Sequence, residues 1–334
     1  MKKILAMLLA VMMLLSVASV AMAEGVTDTP ATPTDMTTVT IKKVYKLANA
    51  GTTSPAETFT LTQVGAGRVT DGEASSAPAL GTITGANFTE GVATVNGTTG
   101  DITVALPEYN HVGVYEYTLK EVAGTTAGVT YYGDNITLKV TVINDTEGNL
   151  RIAAVHAESE NNALEAGKTK KDNFPNTYSA GKLNVTKTVA GNLGDKDKKF
   201  GFTVKFTKPA GKEVKSTITA TVAGQNVTFT PVWNEAGEYT FTFQLAHDET
   251  ATFDNLPYGV NYAVTEDTVT GYETTMTGES GTIESVATTA AFTNTKTGSI
   301  DTGVMLDSMP YVLVLAVVGA AVIALIAKKR RAED

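Results

Sequence analysis

Cysteine is absent from the 334 residues, so no disulfide can staple this fold and no thiolate can serve as nucleophile or metal ligand. Histidine is nearly absent too. His111, His156 and His247 stand in unrelated contexts, without the spacing or neighbouring carboxylates of a metal site, so neither metal nor cofactor is expected. The single tryptophan, Trp233, reads as a core or strand-edge aromatic. No Gly-rich phosphate loop follows a strand and no Gly-x-Ser-x-Gly elbow occurs, so chemistry on an outside substrate has no visible site and an enzyme is not expected. Positive charge is in deficit, with 26 Lys and Arg against 35 Asp and Glu, which argues against nucleic acid or anionic lipid as a partner. Helical periodicity is weak throughout.

The ends carry export signals. Residues 1–23 have Lys2 and Lys3 ahead of a long apolar run and close on Ala21-Met22-Ala23, the pattern of a secretory signal peptide. Residues 24–36 are Thr/Pro-rich and read as a linker. At the other end, 17 apolar residues from Tyr311 to Ala327 run into Lys328-Lys329-Arg330-Arg331. Such a segment is at the short limit of a membrane span, and the basic cluster would hold its end in the cytoplasm. Together these features describe an exported surface protein; in a Gram-positive cell, residues 298–334 would be a cell-wall sorting signal. The stretch from Glu24 to Thr302 has 20 basic and 32 acidic residues, a net charge of −12. Disulfides are permitted outside the cell, so an exported β protein without them needs another source of toughness.

Between the signals lie short alternating runs rich in Val, Thr and Tyr, separated by Gly, Asn, Asp and Pro: TVTIKKVYKL, ETFTLTQV, DITVAL, GVYEYTLKEV, NITLKVTVI and LRIAAVHA. The pattern restarts near Ser179 with KLNVTKTV, KFGFTVKF, STITATVA, NVTFTPVW, YTFTFQLA, ATFDNL, VNYAVTED and TAAFTNTK. This predicts an all-β chain of two tandem sandwiches, residues 37–179 and 180–297, that are divergent repeats of one another. Each half opens on a strand with an inward lysine, has a late Tyr-rich strand ending in Glu, and closes on Phe-x-Asn-Thr.

Strand parity places three polar residues on the core side of each half. Lys43 shares a face with Val39, Ile41, Tyr45 and Leu47; Glu121 with Tyr115, Tyr117 and Leu119; Asn176 with Phe174 and Tyr178. In the second half Lys187 falls with Leu183, Val185 and Val189, Glu266 with Val260, Tyr262 and Val264, and Asn294 with Ala290 and Phe292. One such residue could snorkel to a strand end, because burying an unpaired charge is costly. The same triplet in the same order, twice in one chain, needs a better account. A buried ion pair would explain the Lys and Glu but not the Asn. Desolvation lowers a lysine pKa and raises that of a carboxylic acid, leaving a neutral, nucleophilic amine beside a protonated carboxyl. That carboxyl can polarise an asparagine amide and carry protons as ammonia leaves. The product is a Lys–Asn isopeptide bond, and the buried lysine then bears no charge.

The order of an early Lys, a Tyr-x-x-x-Glu strand and a terminal Phe-x-Asn strand resembles the streptococcal-type major (backbone) pilin family. LNVTKTVAGNLGDKDKKFGFTV and NYAVTEDTVTGYETT look close to its C-terminal domain; PAETFTLT, YEYTLKE and GVTYYG look close to its N-terminal one. The resemblance implies two immunoglobulin-like domains, each closed by a self-generated bond: Lys43–Asn176 assisted by Glu121, and Lys187–Asn294 assisted by Glu266. Parity favours Lys43 over its neighbour Lys42, which falls with Thr38 and Thr40. It further implies a sortase cut between Thr302 and Gly303, within a Ser299–Gly303 motif that lacks the family's proline. The freed Thr302 would join a lysine of the next subunit, Lys170 by the family's adjacent-lysine pair, with Lys168 and Lys171 as alternatives; a plain solvated charge cluster stands beside that reading. The implied function is the shaft subunit of a wall-anchored pilus, with sortase, other pilin subunits, peptidoglycan and host surface molecules as partners. The alternative is a single wall-anchored adhesin that uses the same domains as a stalk.

Overall fold

In a computed structural model, residues 35–159, 173–227, 231–299 and 313–323 are described. The chain folds as four main sheets around two hydrophobic cores, one drawing on residues between Ile41 and Ala180, the other on residues between Leu183 and Phe292. Alternation is the physical origin of both. The strand Gly113–Glu121 puts Tyr115, Tyr117, Leu119 and Glu121 into the interior, and Ile136–Asn144 buries every second residue from Ile136 to Val142.

In the first sandwich one sheet runs in the order Ile83–Thr84, Thr98–Ala105, Thr38–Leu47, Asn173–Tyr178, Val129–Thr130. The facing sheet runs Leu150–Ser159, Ile136–Asn144, Gly113–Glu121, Leu61–Gln63. In the second, the larger sheet is Gln225–Val227, Thr219–Val222, Thr250–Pro257, Ala180–Ala190, Ala287–Thr295, Glu273–Thr277, and the smaller is Glu238–Leu245, Phe200–Thr207, Asn261–Glu266, Ser280–Thr282. In both sandwiches the first strand lies parallel and adjacent to the closing strand: Thr38–Leu47 beside Asn173–Tyr178, and Ala180–Ala190 beside Ala287–Thr295. The register repeats as well. Lys43 stands opposite Phe174 and Tyr45 opposite Asn176; Lys187 stands opposite Phe292 and Val189 opposite Asn294.

The two sandwiches meet where Ser179 hands the chain over. Ser179 N–H donates to the Gly128 carbonyl (2.8 Å), and Tyr258 N–H donates to the Ser179 carbonyl (3.0 Å). Gly128 adopts φ +76°, and a Cβ there would lie 2.5 Å from the Ser179 carbonyl oxygen, so the close approach needs glycine. Asn255, held at φ +62°, spans the junction with its side chain: it accepts from Thr53 N–H (3.0 Å) and donates to the carbonyls of Thr53 (3.0 Å) and Thr217 (2.8 Å). Lys215 reaches across to the buried carboxylate of Glu57 (3.1 Å).

Several expectations change in detail. ETFTLTQV is broken at Thr60 into Glu57–Phe59 and Leu61–Gln63. Of NVTFTPVW, residues 226 and 227 belong to the strand Gln225–Val227, residues 228–230 lie outside the described residues, residues 231–233 are irregular, and Trp233 packs half-buried against the second core from there. Glu273–Thr277, not anticipated as a strand, is an exposed edge held by backbone pairing. The signal peptide (1–23), most of the 24–36 linker, the sorting residues Thr302 and Gly303, and the lysines 168, 170 and 171 lie outside the described residues. Of the predicted span at 311–327, residues 313–323 are helical; no helix among the described residues is long and apolar enough to cross a membrane.

Candidate functional site: two buried Lys-Glu-Asn triads

Each triad bridges the two sheets of its sandwich. The lysine and asparagine come from the adjacent first and closing strands, while the glutamate ends a strand of the facing sheet. Because Lys and Asn sit two residues apart across a parallel pair, they are diagonal neighbours on one face, within reach of long side chains.

In the first sandwich Lys43 and Asn176 are fully buried and Glu121 is nearly so. Lys43 Nζ donates to Asn176 Oδ1 (2.7 Å) and to Glu121 Oε2. Asn176 Nδ2 donates to the other carboxylate oxygen, Glu121 Oε1 (2.5 Å). Asn176 Oδ1 also accepts the backbone N–H of Tyr132 (2.8 Å). Lys43 Nζ is 5.3 Å from the Phe59 ring centroid and 5.6 Å from that of Tyr132. Burial in this aromatic surround pushes the Lys43 amine down to about 8, against the opposing pull of Glu121. Lys42, one residue away, points outward and pairs with Asp101 on the surface (2.6 Å). The strand thus sends adjacent lysines to opposite faces, as alternation requires.

The second sandwich repeats the arrangement with one difference. Lys187 Nζ and Asn294 Nδ2 both donate to Glu266 Oε1, at 2.6 and 3.1 Å, with the Lys187 amine 4.1 Å from the Phe200 ring centroid. Burial lowers the Lys187 pKa as well, against the pull of Glu266. The two donors converge on one carboxylate oxygen, which brings amine and amide together. Asn294 Oδ1 and Glu266 Oε2, however, are buried without a hydrogen-bond partner. Behind this triad His247 Nδ1 accepts the backbone N–H of Val189 (3.1 Å), tying the neighbouring loop to the first strand.

The chemistry open to such a site is narrow. Lys43–NH₃⁺ with Glu121–COO⁻ holds as many protons as Lys43–NH₂ with Glu121–COOH, so one proton hop inside the pair creates a nucleophile and an acid together. Low dielectric favours the uncharged pair. The amine then faces an amide carbon whose nitrogen is already in contact with the carboxyl, which can protonate the departing group. Water is excluded, so hydrolysis does not compete.

Sequence reasoning located all six triad residues and missed their surroundings: the Tyr132 N–H, the Phe59 and Phe200 rings, and the His247 prop. Among the described residues no group of three or more His, Asp or Glu is placed to hold a metal.

Comparison with known proteins places these triads in context. Residues 39–179 match a family described as a Spy0128-like isopeptide containing domain, and residues 181–296 match one described only as a domain of unknown function. A pilin of Streptococcus pyogenes serotype M1 is 29% identical over 231 residues, 63% of this chain and 66% of that pilin's length. The pilus tip adhesin Cpa of Streptococcus pyogenes is 31% identical over 98 residues, 29% of this chain and 13% of the adhesin. The crystal structure of the major pilin from Streptococcus pyogenes superimposes with a TM-score of 0.52 at 23% identity, covering 79% of this chain and all of that one. The chain therefore resembles streptococcal major pilins in sequence and shares their fold.

Proposed function

We propose that this chain is the repeating shaft subunit of a sortase-assembled surface pilus, each of whose sandwiches locks itself with a Lys–Asn isopeptide bond. The observation that carries the reading is the duplicated triad: a buried lysine and asparagine, in the same register on adjacent first and closing strands, with a glutamate from the facing sheet touching both. Lys43 joins Asn176 and Lys187 joins Asn294, with Glu121 and Glu266 as proton carriers and no cofactor. The only catalysis is intramolecular. Export and anchoring follow the sequence signals: cleavage after residue 23, cutting by a sortase between Thr302 and Gly303, and transfer of Thr302 to Lys170 of the next subunit, or ultimately to peptidoglycan. The pilin similarity over 63% of this chain supports the shaft role.

The partial match to a pilus tip adhesin favours one other reading, a wall-anchored adhesin with these sandwiches as its stalk. Tandem mass spectrometry of digested native fibres separates the two. A branched peptide joining Thr302 to Lys170, Lys168 or Lys171 is the expected result. Thr302 found only on peptidoglycan cross-bridges, with no lysine branch, overturns the shaft reading.

A further inference from the structure

We infer that the backbone N–H of Tyr132 is an oxyanion donor for closure of the first sandwich, and that the second sandwich closes without an equivalent. The inference rests on the proposed covalent reading. Attack of Lys43 Nζ on Asn176 Cγ forms the N–C bond and drives an electron pair onto Oδ1. Collapse of that tetrahedral species breaks the Cγ–Nδ2 bond; Glu121 supplies the proton that lets the amide nitrogen leave as ammonia and regains one from Nζ. Charge therefore develops on Asn176 Oδ1. Two donors now face that atom, Lys43 Nζ at 2.7 Å and Tyr132 N–H at 2.8 Å. The lysine cannot keep donating to the oxygen while turning its lone pair to the adjacent carbon. The Tyr132 N–H is left as the fixed donor, in a buried site where such a bond counts most.

The closing strands explain why one sandwich has this donor and the other lacks it. Val129–Thr130 pairs with the first closing strand at only two positions, Thr130 with Thr177 and Val129 with Tyr178. Continued, that register would set Tyr132 opposite Pro175. Proline has no N–H to return, so the ladder ends and the Tyr132 N–H turns to the Asn176 side chain instead. In the second sandwich the place of Pro175 is taken by Thr293. There the neighbouring strand Glu273–Thr277 runs as an unbroken ladder from Thr295 to Ala291, with Thr274 opposite Asn294. The residue in the place of Tyr132, Thr275 opposite Thr293, is held within that ladder, and Asn294 Oδ1 is left buried without a partner. One substitution in FPNT versus FTNT thus decides whether a backbone donor is released to the reacting amide.

The test uses the full chain, recovered unfolded and refolded by dilution. Aliquots are quenched in acid, and the cross-linked peptide of each sandwich is followed by mass spectrometry, timed from the end of the folding phase seen by circular dichroism. The first sandwich is expected to close about 10²-fold faster than the second, the usual effect of one oxyanion donor. Replacing residue 132 with the α-hydroxy acid of tyrosine exchanges that N–H for an ester oxygen and should slow the first sandwich by a similar factor, leaving the second unchanged. The same ester at residue 133 should leave both rates unchanged. If the ester chain does not fold, Pro175→Thr, which restores the sequence of the second sandwich, should slow the first in its place. Equal closure rates, or insensitivity to the ester and to Pro175→Thr, overturn the inference while the cross-links themselves stand. Full-length mass with no ammonia lost from either sandwich overturns the covalent reading instead.

Discussion

Asn176→Ala and Glu121→Ala should both abolish the first cross-link, yet differ in stability by an amount the geometry sets. The bond would tie residues 133 apart in sequence, and the loop-entropy estimate for a closure of that length is about 5 kcal/mol. Both variants forfeit that. Asn176→Ala leaves the Lys43–Glu121 pair intact. Glu121→Ala strands a fully buried amine, whose remedy is to shed its proton. From an ordinary value of 10.5, doing so at neutral pH costs up to about 5 kcal/mol, in line with roughly 3–5 kcal/mol for a broken buried pair. The first sandwich should therefore lose about 5 kcal/mol in Asn176→Ala and about 8 kcal/mol in Glu121→Ala. At roughly 4 °C per kcal/mol for a domain of this size, its melting transition falls by about 20 and about 30 °C. Differential scanning calorimetry, with the second sandwich as internal reference, reads both shifts, and intact mass confirms the retained ammonia. If Asn176→Ala melts as low as Glu121→Ala, or lower, the reasoning about the stranded amine is wrong. If it melts with the wild type, so is the loop-closure argument.

Further outcomes follow from the same geometry. Closure of the first sandwich should be level in rate below about pH 8 and fall roughly tenfold per unit above it, because loss of the pair's shared proton, at the lowered Lys43 value, leaves Glu121 no proton to give. A rate that instead climbs through pH 8 to a plateau would make the neutral amine beside an ionised Glu121 the reactive form. Lys42→Ala removes a pair whose side chains are 53% and 55% exposed; it should change stability by less than about 0.5 kcal/mol and leave the mass loss intact, whereas Lys43→Met should abolish one ammonia loss. Asn255→Ala gives up three hydrogen bonds and puts alanine at a left-handed φ. Only the two to Thr53 cross the junction, so coupling between the sandwiches should weaken by about 2 kcal/mol, seen as separation of the two calorimetric transitions.

The triads were legible because a strand alternates with period two and a core tolerates few polar letters: Lys43, Glu121 and Asn176 stood out by parity, and their recurrence as Lys187, Glu266 and Asn294 fixed the pattern. What escaped has no letter of its own. The Tyr132 N–H belongs to the backbone, and its only trace in the sequence is Pro175, where the second half has Thr293. Asn255 and Glu57 take their meaning from packing between the sandwiches, which no local periodicity encodes. Glu273–Thr277 escaped because all five of its side chains are exposed; pairing alone makes it a strand.

The position of the proposed bonds also bears on how such a chain would carry load. When a single chain is pulled by its two ends, rather than through the proposed linkage at Lys170, tension entering at Thr38 and leaving past Tyr178 pulls on two strands that are parallel neighbours, so it acts in shear along their ladder. Hydrogen bonds alone would yield there, releasing everything between. A bond from Lys43 to Asn176 moves the force from one strand to the other after the first half of the opening strand, and the rest of the sandwich carries none of it. The force then passes through Ser179 and along Ala180–Ala190 to Lys187, and across again to Asn294. The extensible path shrinks to short stretches that are already strand. A disulfide could close the same loops, but only with two cysteines at the proper separation and an oxidant to join them. The lysine and asparagine need neither, since burial itself readies the amine. That is a physical reason why an exported β protein can dispense with cysteine.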